Sequence, residues 1–484
     1  MIITNAKIVT PQDIIYGDIL IGEKGKILKI IKRNSGKQVE RVHPELDSGV
    51  AQLPRMTAFD AKGKYVLPGL IEVHGHMREP GMSQKEDVPH GTRAALAGGF
   101  TTIIDMPNTI PPTTTIELLK DKIEKIYSGR SYTDYAFFFG VSKDSLDQLE
   151  VINKKDIVGF KVFMAGHETT PTTISDDQTL EKIFAIAAKR GILLAVHAED
   201  QMLINEIAEA LKNSARKDPA LWSELRSKSV VIRAVKRALK LQEKYKTKTY
   251  LLHLSTPEEF SLVQEAKAKK FDVFGELVSY QLNFDTDDYA RLGNRIKVSP
   301  ALRSPQDQNK LWKLLKNVVQ SEASPKAGEV EGSLSPLDVL CSEHTPHEWE
   351  TKNQPDVWKA QSGMPNIQET LPAVLTNWVK WFGKDSIEEA LITIAKLSSQ
   401  NPARIFGFDS KGAIEVGKDA DLVVLDTENP WTVSKKDLFS KCGWSAYEGM
   451  QLIGRPAATF LRGEMVYNNG KIISKPEGIW LHKK

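Results

Sequence analysis

Cysteine is nearly missing from this sequence. Cys341 and Cys442 are the only two in 484 residues, far apart and without a partner at disulfide or metal-site spacing. A disulfide framework is excluded, and a reducing compartment is expected. Long apolar runs are missing too: no stretch approaches the about 20 residues that a membrane-spanning helix needs. The opening MIITNAKIVT lacks the apolar core of a signal peptide. Charge is balanced, with 65 Lys and Arg against 62 Asp and Glu, and no long basic run. That gives no support to nucleic-acid binding. The expectation is a cytoplasmic protein that acts on a small molecule, with neither nucleic acid nor membrane as partner.

What is there is an ordinary globular composition, 41% hydrophobic and 26% charged, long enough for a large domain and a smaller one. Residues 1–65 alternate apolar and polar positions between turns, as in GDILIGEKGKILKI. The same texture returns in AIEVGKDADLVVLD and ATFLRGEMVYNNGKII. Period two reads as short strands, so both termini are expected to build one β-sandwich domain from 1–65 and 406–484. Between them, 66–405, short apolar strands alternate with amphipathic helices such as TLEKIFAIAAKRG and PEEFSLVQEAKAKK. The strand candidates are 69–74, 101–106, 134–140, 157–164, 192–199, 249–254, 271–277 and 337–344. Eight such units over roughly 300 residues predict an α/β fold, a (β/α)8 TIM-like barrel. A doubly wound sheet is the rival, but no glycine-rich phosphate fingerprint follows the first strand.

A barrel of this kind carries its chemistry at the C-terminal ends of its strands. Strand one ends in His74-Gly-His76, strand five in His197, strand six in His253 and strand eight in Glu343-His344; strand four carries Lys161 inside apolar GFKVFM. A lone strand-end histidine is more often a hydrogen-bonded structural residue than a ligand, and a lone lysine is more often solvated. The chain has only ten histidines, so their gathering at one end of one barrel argues for a metal centre. Imidazole and carboxylate ligands without thiolate suit zinc best, then manganese, iron or cobalt. The ligand count exceeds one tetrahedral ion with an open position, which points to two divalent ions. A lysine amine that has captured CO2 becomes a carbamate with an oxygen for each of them.

The motifs YVLPGLIEVHGHMREPG, AGGFTTIIDMPNTIPP, GFKVFM, VHAED, HLST, CSEHTPH, GMPNIQETLP, GKDADLVVLD and FLRGEMVYNNGK occur in this order over essentially the whole length. Together they resemble the cyclic-amidohydrolase branch of the amidohydrolase superfamily. The likeness is greatest to the dihydroorotases, with a layout similar to the dihydroorotase domain of the multifunctional animal pyrimidine-synthesis protein. The resemblance implies reversible hydrolysis of dihydroorotate to N-carbamoyl-L-aspartate at two Zn2+ ions. It implies that His74 and His76 hold one metal, His197 and His253 the other, and that carboxylated Lys161 bridges them. Glu343 takes the place of the family's aspartate, ligand to the first metal and general acid/base. Arg78, Asn108 and His347 correspond to a clamp for the substrate carboxylate, and Ser299 lies near the ring.

Departures from the family pattern are Glu72 and Glu343 where Asp is usual, Ser299 for Asn or Arg, Tyr280-Gln281 for a His-His pair, and Gln368 for Glu. They keep two alternatives open. One is another cyclic amidase of allantoinase, hydantoinase or dihydropyrimidinase type. The other is a weakly active structural partner of a transcarbamoylase. Relatives are commonly dimers or larger, so the resemblance admits a homodimer. The Thr-rich stretch 164–177 reads equally as a lid, with Thr169 or Thr170 reaching the substrate, and as a surface loop. The stretch 321–336 reads as an exposed insertion.

Overall fold

In the computed structural model, the described residues are 1–33, 57–166, 169–170, 172–212, 214–320 and 335–482. Most of the expected insertion, 321–334, lies outside them.

Eight central strands pair in parallel and in chain order: Leu70–Gly75, Phe100–Asp105, Asp134–Gly140, Gly159–Phe163, Leu194–His197, Thr249–Leu251, Val273–Val278 and Val339–Cys341. Each falls on a stretch expected from the sequence. Helices cover a parallel sheet on its outer side, so its strands are buried on both faces and read as apolar runs. Asp177–Arg190 is one covering helix. It starts where the Asp176 side chain accepts the Thr179 N–H and ends where Gly191 turns left-handed at φ 61°. Pro257–Ala268 opens on a reciprocal cap between Thr256 and Glu259.

The sheet is a nearly closed barrel, stitched where its last strand meets its first. The Ser342 N–H donates to Glu72 Oε2 at 2.9 Å, and the His76 N–H donates to the His344 carbonyl at 3.0 Å.

The two ends of the chain meet in a second, mixed sheet, of nine strands among the described residues, the form taken here by the expected terminal β-domain. Tyr65–Pro68 pairs antiparallel with Leu422–Asp426, joining N-terminal to C-terminal strands. Alternation sorts their side chains. Val66, Leu422 and Val424 enter the sheet's own core with Ile3, Ile8 and Phe460. Leu67, Val423 and Leu425 point the other way, into the large core shared with the barrel and its helices. Among the described residues, no helix is long and apolar enough to cross a membrane.

Candidate metal centre and active site

The strand ends converge as the barrel requires. One ligand atom each from His74, His76 and Glu343 lie within 4.8 Å of one another. His253 Nε2 is 2.7 Å from His197 Nδ1. The His74 ring stands 5.4 Å from both the His76 and the His253 rings, which links the two histidine pairs. Lys161 is fully buried, and its Nζ has no hydrogen-bond partner among the described residues. Its Nζ lies 4.5 Å from the centroid of the Phe163 ring.

Burial sets the protonation of this cluster. It pushes His74 down to about 4 against the opposing pull of Glu276, and it carries His253 well below the usual imidazole range. His197 is lowered as well, chiefly by burial. All three imidazoles are neutral at pH 7, the form that binds a metal. Burial drives Lys161 down to about 7 and raises Glu343 well above the carboxylate range. Neutral imidazoles, a carboxylate and an orphaned buried amine are a donor set that fits divalent ions.

Two carboxylates hold the rings in place. Glu276 Oε1 lies 2.8 Å from His74 Nδ1 and accepts the His253 N–H at 2.9 Å, while its Oε2 accepts the Tyr250 hydroxyl at 2.9 Å. Glu199 Oε2 lies 2.8 Å from His197 Nε2 and is paired with Arg226. Contacts of this kind fix the ring orientation and leave the opposite nitrogen for a metal. His74 Nε2 accordingly faces Glu343 Oε1 at 3.8 Å.

The site prediction omitted both carboxylates. Glu199 had a signal, two residues beyond His197 in VHAED, and Glu276 stood out as a charge in apolar FDVFGEL. Tyr280 was noted only as a departure, yet its hydroxyl donates to Glu343 Oε2. Gln281 bonds the Pro300 carbonyl at 3.3 Å. The backbone is bent at the same place: Arg78 (φ 63°), His253 (φ 40°) and Glu343 (φ 48°) are all left-handed without being glycine. Such strain costs of order 1–3 kcal/mol per residue and clusters at functional sites.

A narrow cavity opens over the cluster, lined by His74, His76, His197, Tyr280, Glu343, Thr169 and Ser299 among others. Ser299 Oγ is 2.8 Å from Ser362 Oγ. Thr169 is buried against the cavity, while Thr170 is half-buried and not part of the lining. Arg78 does not line the cavity. The first strand ends at Gly75, so strand alternation does not carry its side chain into the mouth. The guanidinium is instead buried, with Nε donating to the Pro346 carbonyl at 3.1 Å and Nη2 3.2 Å from His347 Nε2. Its Nη1 has no hydrogen-bond partner among the described residues. Asn108 donates to the Thr169 carbonyl at 3.1 Å, and its Oδ1 is likewise without a partner. The structure thus joins Arg78 to His347 and ties Asn108 to Thr169, a lining residue.

A barrel with this donor set at its strand ends defines a metal-dependent hydrolase. The amidohydrolase family model matches residues 65–304 and 360–466, and the chain belongs to that family. It is 30% identical over 477 residues to an L-hydantoinase of Paenarthrobacter aurescens, covering 98% of this chain and 95% of that one. A dihydroorotase of Methanosphaera stadtmanae is 31% identical over 418 residues, 86% of this chain and 88% of the relative. An allantoinase of Deinococcus radiodurans is 29% identical over 479 residues, 99% and 97% of the two chains. The solved L-hydantoinase (dihydropyrimidinase) from Arthrobacter aurescens superposes with a TM-score of 0.86 at 29% identity, over 100% of this chain and 99% of that one. Relatives named for three different rings stand at similar identity. The class is therefore a metal-dependent cyclic amide hydrolase.

Proposed function

We propose that the ring is dihydroorotate and that the enzyme interconverts it with N-carbamoyl-L-aspartate. The observation that carries this reading is the Arg78–His347 contact, with Arg78 Nη1 unpartnered in a buried place. A buried guanidinium with a free donor calls for an anion, and its planar fork suits a carboxylate. Dihydroorotate carries a carboxylate beside the reacting amide, whereas hydantoin and allantoin do not.

His74, His76 and Glu343 would hold one ion and His197 and His253 the other, with Lys161 shared as its carbamate. When bound, two zinc ions supply Lewis acidity toward the ring carbonyl and lower the pKa of water toward ~7. The remaining work belongs to the chain. Glu199 and Glu276 keep the imidazoles oriented. Arg78, His347 and Asn108 hold the substrate carboxylate, and Ser299 meets the ring. Thr169, in the cavity lining, covers it. Glu343 takes a proton as water adds to the ring carbonyl and returns it to the ring nitrogen as the C–N bond breaks. Ring closure runs the same transfers backwards.

A second reading, a cyclic amidase for a neutral ring, is favoured by one observation. The hydantoinase and allantoinase relatives cover 98% and 99% of this chain, the dihydroorotase relative 86%. Turnover of dihydroorotate, hydantoin and allantoin by the zinc-loaded enzyme separates the two. Dihydroorotate is expected to be the best substrate, and Arg78→Lys should reduce its kcat/KM roughly 10- to 100-fold, the worth of a charge-assisted hydrogen bond. Hydantoin turnover should change far less. Faster hydantoin or allantoin turnover would establish the second reading, whereas equal losses on all substrates would show that Arg78 supports the fold or the metals rather than reading a carboxylate.

A further inference from the structure

Glu343 has a long side chain for a proton carrier, and something must hold it still. Its two oxygens face different ways: Oε1 stands 3.8 Å from His74 Nε2, and Oε2 accepts the Tyr280 hydroxyl. Tyr280 is the first residue of a four-residue helix, Tyr280–Asn283, that follows the seventh barrel strand. It is 1% exposed, and both Tyr280 and Glu343 line the cavity.

The pair is set by a common anchor. Asn366 Nδ2 donates to Ser279 Oγ at 2.8 Å and to the Ser342 carbonyl at 2.7 Å, so one amide grips the residues immediately before Tyr280 and before Glu343. The Ser279 N–H also donates to the Cys341 carbonyl at 3.0 Å. Neither partner is therefore free to drift from the other.

We propose that Tyr280 is a positioning residue. By holding Glu343 Oε2, it fixes the carboxylate so that Oε1 alone addresses the metal side and the ring nitrogen. The proposal rests on the reading of Glu343 as proton carrier. An untethered glutamate would spread over several rotamers, most of them out of reach, and misplacements of about 1 Å can cost ~100-fold in rate.

The test uses zinc-loaded and cobalt-loaded enzyme with the best of the three ring substrates. Tyr280→Phe removes one oxygen and keeps the ring. The expected result is a kcat about 10- to 100-fold lower with KM changed by no more than about twofold. The visible absorption of the cobalt form should change, because the Glu343 ligand loses its fixed direction. In a double-mutant cycle, Tyr280→Phe should cost much less in the Glu343→Asp background, where the shorter side chain draws back from the hydroxyl. Wild-type kcat and an unaltered cobalt spectrum in Tyr280→Phe overturn the proposal, as do losses that simply add in the cycle. Glu343→Gln in the same assay separates the two ideas. Activity in Glu343→Gln removes the proton-carrier reading itself, whereas an inactive Glu343→Gln beside an unimpaired Tyr280→Phe removes only the role of Tyr280.

Discussion

Lys161 is fully buried, its Nζ has no hydrogen-bond partner among the described residues, and an aromatic ring is its neighbour. Burial lowers it from 10.5 to about 7, so in the metal-free protein its amine is mostly neutral at pH 8 and mostly charged at pH 6. Only the neutral amine attacks CO2. The sign for stability follows from proton counts. Between about 7 and 10.5 the unfolded chain holds a proton that the folded chain has lost, so stability rises with pH across that window. Below about 7 both states are protonated, and the full cost of a buried charge remains. His74, lowered from 6.5 to about 4, adds its own rise between those values and nothing above pH 7. Metal-free enzyme should therefore regain zinc and activity faster with bicarbonate at pH 8 than at pH 6, and the part of its Tm that Lys161 sets should climb from pH 7 to pH 9. Lys161→Met should abolish the bicarbonate dependence and flatten the rise in Tm. Bicarbonate-independent recovery in the native enzyme would rule out the carbamate.

Among elements, the seam between the first and eighth strands is where the barrel depends on a side chain. Glu72 accepts the His74 N–H at 2.8 Å through one oxygen and the Ser342 N–H at 2.9 Å through the other. Burial raises it to about 7 against these hydrogen bonds. Glu72→Leu leaves two buried N–H groups without acceptors, at about 1–3 kcal/mol each. Glu72→Gln keeps one good acceptor. Thermal melts of the metal-loaded proteins should rank native above Gln above Leu; a Leu variant as stable as the native protein would show that the seam closes without the carboxylate. The seam also marks what a sequence can tell. Strands covered by helices are short apolar runs, and the polar residues that end them were legible one by one. The contacts between strands were not. His74 and Glu276 are far apart in sequence, and their meeting depends on barrel register, which no local pattern carries. Arg78 illustrates the same limit from the other side. It stands two residues beyond His76, where continued alternation would put it on the same face, but the strand ends at Gly75.

Across the whole molecule, the terminal sheet is locked to the barrel at the end opposite the metal centre. Asp134 opens the third barrel strand. Lys411 Nζ lies 2.5 Å from Asp134 Oδ2, 2.6 Å from Asp421 Oδ2 and 3.2 Å from Asp419 Oδ2, and Arg462 also pairs with Asp134. The Ile479 N–H donates to Asp134 Oδ1 at 3.0 Å, so the C-terminal segment joins the same knot. Burial alone would lower Lys411, but Asp421, Asp134 and Asp419 outweigh it and raise the ammonium above the usual lysine range. Exposed ion pairs are worth about 0–1 kcal/mol, whereas removing one partner from a buried group costs about 3–5 kcal/mol; here Asp134 keeps Arg462 and Asp419 keeps Lys26, but buried Asp421 loses its ammonium. Lys411→Met should therefore lower unfolding stability by about 3–5 kcal/mol in urea titrations. At 25 °C its kcat/KM should stay near native, since the knot lies at the N-terminal ends of the strands and the chemistry at the other. Adding Asp421→Leu should recover part of the loss, as one unpaired carboxylate disappears with it. A loss under about 1 kcal/mol would put the cluster in the class of solvent-screened surface pairs. A fall in kcat/KM without a fall in stability would mean instead that the two ends of the barrel are coupled.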